Sequence, residues 1–220
     1  MHTLVETVET PVGDARTTRF PADGVRSAVL MLGHGIGGGI DAPDLQALAA
    51  ALPALGVEVV LVEQPWRVAG KRLGPPPKTL DVAWRAIVDH VGASLVGDVA
   101  HHKVPLLVGG RSAGARVACR TGRDTGASAV LALAFPLHPP GKPEKSRADE
   151  LTGTGLPTLV VQGAVDPFGN PSEFPALPPT THRLVGLAAG GHEFAVRKSQ
   201  EPVIGAVTDA VATWIKTLIR

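Results

Sequence analysis

The chain has 220 residues, 44% of them hydrophobic and 19% charged, with a formal net charge of +1. That composition fits one folded domain, residues 1–220, with a well-buried core. Balanced charge and the lack of any apolar run of bilayer-spanning length exclude nucleic acid and membrane as expected partners.

The segments 3–9 and 14–20 alternate around Pro11-Val12-Gly13-Asp14 and read as an N-terminal hairpin. Ser27 to Leu32 is a buried strand that runs into Gly33-His34-Gly35-Ile36-Gly37-Gly38-Gly39. Asp41 to Leu55 has helical periodicity, with Asp41 a candidate N-cap and Gly56 at the far end. Val57 to Val62 is the next strand, followed by a loop rich in Pro, Gly and Arg from Gln64 to Lys78. Thr79 to Leu95 is an amphipathic helix. Val104 to Gly109 reads as a strand and Ala113 to Arg123 as a helix. Ala129 to Phe135 is another strand, Pro136 to Leu156 a polar segment, and Thr158 to Gln162 and His182 to Leu187 two more strands. Pro202 to Ile219 closes the pattern as a helix. Strands alternating with helices predict an α/β fold with an eight-stranded, mostly parallel sheet flanked by helices.

One pentapeptide stands out at a strand-to-helix junction: Gly110-Arg111-Ser112-Ala113-Gly114. Gly-x-Ser-x-Gly in that context is a nucleophile elbow. The serine sits on a sharp turn above the sheet, and glycines on either side let strand and helix approach each other. A plain Gly-rich turn with a capping serine is the competing reading. With 26 glycines in the chain, the pentapeptide alone does not separate the two.

Ligand sites in open parallel sheets lie beyond the carboxyl ends of the strands. After the strand ending near Gln162 comes Gly163-Ala164-Val165-Asp166-Pro167, and after the one ending near Leu187 comes Gly190-Gly191-His192-Glu193. Taken singly, Asp166 could be a turn former and His192 a surface side chain. Together the order Ser112, Asp166, His192 is the order of the elbow-bearing hydrolases. The chemistry needs each type. A serine hydroxyl is a weak nucleophile until an imidazole takes its proton, and the imidazole needs a carboxylate to hold its tautomer.

Acyl transfer also needs donors for an oxyanion. The N–H of Ala113, after the serine, is one candidate. Ile36 in the glycine-rich loop is the other, with Gly37 as the alternative. A phosphate-cradling loop fits less well, because no Lys-Ser/Thr pair follows and the dinucleotide fingerprint is incomplete. His34 is expected to support this loop.

These residues together resemble the α/β-hydrolase superfamily, and within it the small dienelactone-hydrolase-like group. More narrowly, the chain is similar to the family of bacterial predicted hydrolases and eukaryotic testis-expressed and NSL-complex-subunit proteins. That likeness is carried by Gly33-His34-Gly35-Ile36-Gly37-Gly38, Gln64-Pro65-Trp66-Arg67-Val68-Ala69-Gly70, the elbow, and Phe135-Pro136-Leu137-His138-Pro139-Pro140-Gly141. Gln162-Gly163, Asp166-Pro167-Phe168-Gly169 and Gly191-His192 complete it. The resemblance implies an α/β-hydrolase fold and a serine hydrolase acting on a small-molecule acyl substrate. Dienelactone hydrolase itself uses a cysteine where this chain has Ser112, so that specific activity does not carry over. Members that serve as interaction modules keep a non-catalytic alternative open.

Many relatives carry a helical cap between the sixth and seventh strands. Pro136 to Leu156 is too short and too rich in Pro and charge for a cap domain, so an open site shaped by loops is expected. Its bordering cations are Arg67, Lys71 and Arg72 in one loop and His138, Lys142, Lys145 and Arg147 in another. Arg67, nearest a strand end, is the candidate substrate-binding residue; solvated loop charge is the alternative. Arg111 is expected to be a structural anchor. No cofactor is expected, since the chemistry needs none, and no metal, since no Cys/His cluster has ligand spacing. Cys119 alone forms no internal disulfide, and Met1 to Glu6 lacks signal-peptide features, which together fit a cytoplasmic protein.

Overall fold

The computed structural model describes residues 3–95 and 104–219. Eight strands form one sheet: β1 (Leu4–Val8), β2 (Ala15–Phe20), β3 (Ala28–Gly33), β4 (Val57–Glu63), β5 (Leu106–Arg111), β6 (Ala129–Leu133), β7 (Thr158–Gln162) and β8 (His182–Gly186). Their order across the sheet is β1-β2-β4-β3-β5-β6-β7-β8. The β1–β2 hairpin and the β2–β4 pairing are antiparallel, and every pairing from β4 to β8 is parallel.

The central strands are near-continuous apolar runs because both faces are covered. Val29, Met31, Val60, Val62, Val108 and Val130 face one layer, containing α3 (Pro77–Leu95) and α4 (Ala113–Thr121). Leu30, Leu32, Val59, Leu61, Leu107 and Leu131 face the other, containing α1 (Pro43–Ala51) and α6 (Ile204–Leu218). The helices dock by stripes. Leu80, Ala83, Trp84, Ile87, Val88, Val91 and Leu95 are the buried apolar positions of α3, and Val207, Val211, Trp214 and Ile215 those of α6. Each large apolar side chain so buried contributes about 1.5–3 kcal/mol, which outweighs intrinsic helix propensity.

Several boundaries differ from the sequence expectation, each for a local reason. Asp41 does not cap α1; Ala42 occupies the cap without a side-chain bond, and Pro43 begins the helix. The helix tightens to a 3-10 turn at Leu52–Leu55 and stops at left-handed Gly56. The loop after β4 contains a short helix, α2 (Pro65–Val68), and α3 starts at Pro77. β6 stops at Leu133 because Ala134 turns to φ 44°. The segment between β6 and β7 holds only α5 (Ala148–Thr152), so no large lid or cap covers the sheet's carboxyl edge. Among the described residues, no helix is long and apolar enough to cross a membrane.

Candidate active site

The elbow is built where β5 meets α4. Ser112 has φ 53° and ψ −113°, a region in which non-glycine residues are strained. Its N–H donates to the Leu133 carbonyl of β6 at 2.9 Å, and its own carbonyl accepts from Arg116 N–H at 3.2 Å to start α4. The turn is tight because its glycines meet a third glycine. A Cβ on Gly114 would lie 2.6 Å from the Gly33 carbonyl carbon and 3.1 Å from its Cα, and Gly110 abuts the same carbonyl. Glycine at 110 and 114 therefore lets β5 and α4 close onto the end of β3.

The side chain of Ser112 meets His192, and His192 meets Asp166. Ser112 Oγ lies 2.8 Å from His192 Nε2, and His192 Nδ1 lies 2.8 Å from Asp166 Oδ2. A carboxylate only accepts, so Nδ1 carries the ring proton and Nε2 is left to accept the serine proton. His192 stands in a turn in which Phe194, at φ 56°, donates its N–H to the Gly191 carbonyl at 3.0 Å.

Asp166 is 2% exposed, and its charge is met by further donors. Gln162 Nε2 donates to Oδ2 at 2.8 Å, and the Phe168 N–H donates to Oδ1 at 2.8 Å. Gln162 Nε2 also donates to the Gly169 carbonyl at 2.7 Å, tying the strand end to the loop that carries Asp166. The Phe168 ring stacks on the His192 imidazole with centroids 4.2 Å apart. Both residues lie within the motif segments, but sequence pattern alone does not assign them these contacts with Asp166 and His192.

Two further side chains set the geometry from behind. Arg111 is buried; its Nε donates to Asp44 Oδ2 at 3.1 Å and its Nη2 to the His192 carbonyl at 2.9 Å. It is a structural anchor, as expected, but for the histidine turn as well as the elbow. Burial pushes the Asp44 carboxyl up from its ordinary range, and the Arg111 charge pulls it back in part. His34 is also buried. Its Nδ1–H donates to the Gly35 carbonyl at 2.8 Å, while Nε2 accepts the Gln64 N–H at 3.3 Å. Accepting the Gln64 N–H at Nε2 requires the neutral ring, and burial pushes its pKa down. The ring thereby fixes the loop that presents Ile36.

A cleft of about 320 Å³ opens over these groups, lined by Gly35, Ile36, Ser112, Ala113, Phe168 and His192 among others. Ala113 opens α4, where backbone N–H groups have no partner within the helix. A roomier cavity of about 630 Å³ lies elsewhere, between the β1–β2 turn and α2, and none of Ser112, Asp166 or His192 lines it. Of the loop cations, only Arg147 lines the Ser112 cleft. Arg67 does not. It sits on the exposed face of α2, with its guanidinium against Gly39, because Pro65 turns the chain into a helix directly after β4. His138 is buried and bonded to the Pro139 carbonyl and to Glu173, so it too serves its own loop. Cys119 is buried, and burial pushes its thiol pKa well up, away from reactivity.

The comparisons agree with this architecture. A family model described as an alpha/beta hydrolase domain matches residues 26–220. The chain is similar to a serine hydrolase without lid from Xanthomonas campestris, at 19% identity over 97% of this chain and 95% of that one, with a TM-score of 0.74. It is also similar to Est1E from Butyrivibrio proteoclasticus, at 13% identity over 98% of both chains and a TM-score of 0.72. A dienelactone hydrolase from Anabaena variabilis is similar at 16% identity, over 98% of this chain and 97% of that one, with a TM-score of 0.71. No curated protein matches in sequence. At such identities the structural likeness speaks to fold, and the family match agrees with it: the chain belongs to the α/β-hydrolase family.

Proposed function

We propose that this chain, as one catalytic domain, is a serine hydrolase that cleaves a small carboxylic ester, thioester or related acyl compound. The observation that carries the reading is the unbroken hydrogen-bonded chain from Ser112 Oγ through His192 to Asp166, at 2.8 Å for each link. Ser112 Oγ attacks the acyl carbon as His192 Nε2 takes its proton. Asp166 holds the ring and stabilises the imidazolium. The oxyanion accepts from the N–H groups of Ala113 and Ile36, each such donor contributing about 2.7–4 kcal/mol to the transition state. His192 then gives its proton to the leaving group, and the Ser112 acyl-enzyme forms. Water clears that intermediate by the same route, with His192 again as base.

No step calls on a metal or an organic cofactor. The buried Gln162 and the Phe168 stack support the reading, since both act on the His192–Asp166 link. The Xanthomonas and Anabaena relatives are hydrolases, which agrees with it. We infer from segments such as Pro136–Gly141 that the chain is similar to the family of bacterial predicted hydrolases and eukaryotic testis-expressed and NSL-complex-subunit proteins. The test is turnover of 4-nitrophenyl acetate and an acyl thioester by wild type and Ser112→Ala. Turnover by wild type, abolished in a folded Ser112→Ala, is expected. Equal turnover by both would overturn the proposal.

A further inference from the structure

The Ser112 cleft has an uneven charge lining. Arg111, Arg116 and Arg147 line it, with Glu193 as the acidic lining residue. Two of the arginines are already engaged. Arg111 is held by Asp44 and the His192 carbonyl. Arg116 Nε donates to Glu150 Oε2 at 2.8 Å, and its Nη2 to Glu150 Oε1. Glu150 is filled from both sides, because Arg120 Nη1 also donates to Oε2 at 3.1 Å while its Nε and Nη2 take both oxygens of Asp81. Burial alone would raise the Glu150 carboxyl; its arginine partners outweigh that and lower it.

Arg147 is the cation left over. It is half-buried, and Nη1 donates to the Pro136 carbonyl at 2.9 Å. No carboxylate lies within ion-pair distance of it among the described residues. A guanidinium has five donors in a rigid fork, and the bond to Pro136 is the one side-chain hydrogen bond Arg147 makes among the described residues. Its surroundings disfavour the bare cation: burial lowers its pKa, the Arg116 charge adds to that, and the Glu150 charge offsets them only in part. An anion entering the cleft would relieve both.

We propose that Arg147 recognises a free carboxylate, so that the substrate is an acyl compound carrying one carboxylate besides the bond that is cleaved. The proposal rests on the hydrolase reading of Ser112. A monocarboxylate fits better than a phosphate dianion, since only one guanidinium of the cleft lacks an ion-pair partner, Glu150 already offsets its charge in part, and exposed Glu193 repels further negative charge. A cleft of about 320 Å³ suits a compact substrate of this kind.

The test compares mono-4-nitrophenyl adipate with neutral 4-nitrophenyl hexanoate. Wild type is expected to favour the adipate ester in kcat/KM by about 10- to 100-fold, the range for a hydrogen-bonded charge. Arg147→Gln loses that preference, and Arg147→Lys, which keeps the charge without the fork, retains an intermediate one. The lysine variant keeps the test standing should the glutamine variant fail to fold. No preference in wild type, or equal loss on both esters, overturns the proposal. Binding is read separately by calorimetric titration of monomethyl adipate into Ser112→Ala and Ser112→Ala/Arg147→Gln. At least about tenfold weaker binding in the second is expected. Equal binding overturns the Arg147 role even if esters turn over. Arg147-dependent binding without any turnover overturns the hydrolase reading and leaves the carboxylate site standing.

Discussion

Removing Arg111 separates stability from positioning. Its side chain is 6% exposed and that of Asp44 1%, with 3.1 Å between Nε and Oδ2. Among the described residues, Arg111 is the one side chain that hydrogen-bonds Asp44. Arg111→Met would leave a carboxylate buried without its cation, a change that costs about 3–5 kcal/mol. Against a total stability of about 5–15 kcal/mol, that is a large share. At about 2–4 °C per kcal/mol for a chain of this size, the melting temperature falls by about 6–20 °C. A lone Asp44 escapes the penalty by taking up a proton, so the loss shrinks as pH falls. The double variant Arg111→Met/Asp44→Leu removes both charges, and apolar replacement of a buried pair is neutral or stabilising. Stability is therefore expected to return to within about 1 kcal/mol of wild type. Reactivity of Ser112 is not expected to return with it. The His192 carbonyl still lacks the 2.9 Å bond from Nη2, and a loosely held base costs about tenfold or more in rate. Urea unfolding followed by tryptophan fluorescence reads the first quantity. The second-order rate of fluorophosphonate labelling reads the second. A double variant as unstable as the single would refute the ion-pair argument. Labelling that recovers together with stability would refute the positioning role.

Gly114→Ala places a Cβ 2.6 Å from the Gly33 carbonyl carbon, so β3 and α4 must part. A loss of about 3 kcal/mol in urea unfolding and a matching drop in labelling are expected, and an unchanged midpoint would contradict the tight-elbow argument. His34 is held neutral in the fold, with its pKa below the ordinary 6.5. The unfolded chain then binds the proton first as pH falls, so this contribution is complete above pH 6.5 and is lost below it, by up to about 1.4 kcal/mol per pH unit. His34→Asn, which does not titrate, is expected to flatten the stability profile as pH falls below 6.5. Identical slopes would contradict the neutral-ring assignment.

Much of the site was legible because its parts sit at places that local pattern marks. Ser112, Asp166 and His192 each follow a strand with glycine nearby, and a parallel sheet brings such ends to one edge. The sheet itself followed from alternating strand and helix periodicity. The supporting contacts were not legible. Arg111 and Asp44 are separated by 67 positions, and Arg111 and His192 by 81, so nothing in local spacing pairs them. Gln162 and Phe168 lay in plain view, but their contacts with Asp166 and His192 depend on side-chain directions at a strand end. Arg67 and Arg147 show the same limit. Nearness to a strand end favoured Arg67, yet a four-residue helix turned it outward. Arg147 reaches the cleft because its Nη1 is anchored to the Pro136 carbonyl across the β6–α5 loop.

The central claim is that Ser112 is an activated nucleophile. The most direct measurement is fluorophosphonate labelling of the folded protein, with the adduct located by peptide mass mapping in wild type and in His192→Ala. One adduct on Ser112, formed rapidly in wild type and slowed by about 1000-fold or more without His192, is the result the account predicts. A folded wild type that stays unlabelled, or that labels equally fast without His192, would contradict it.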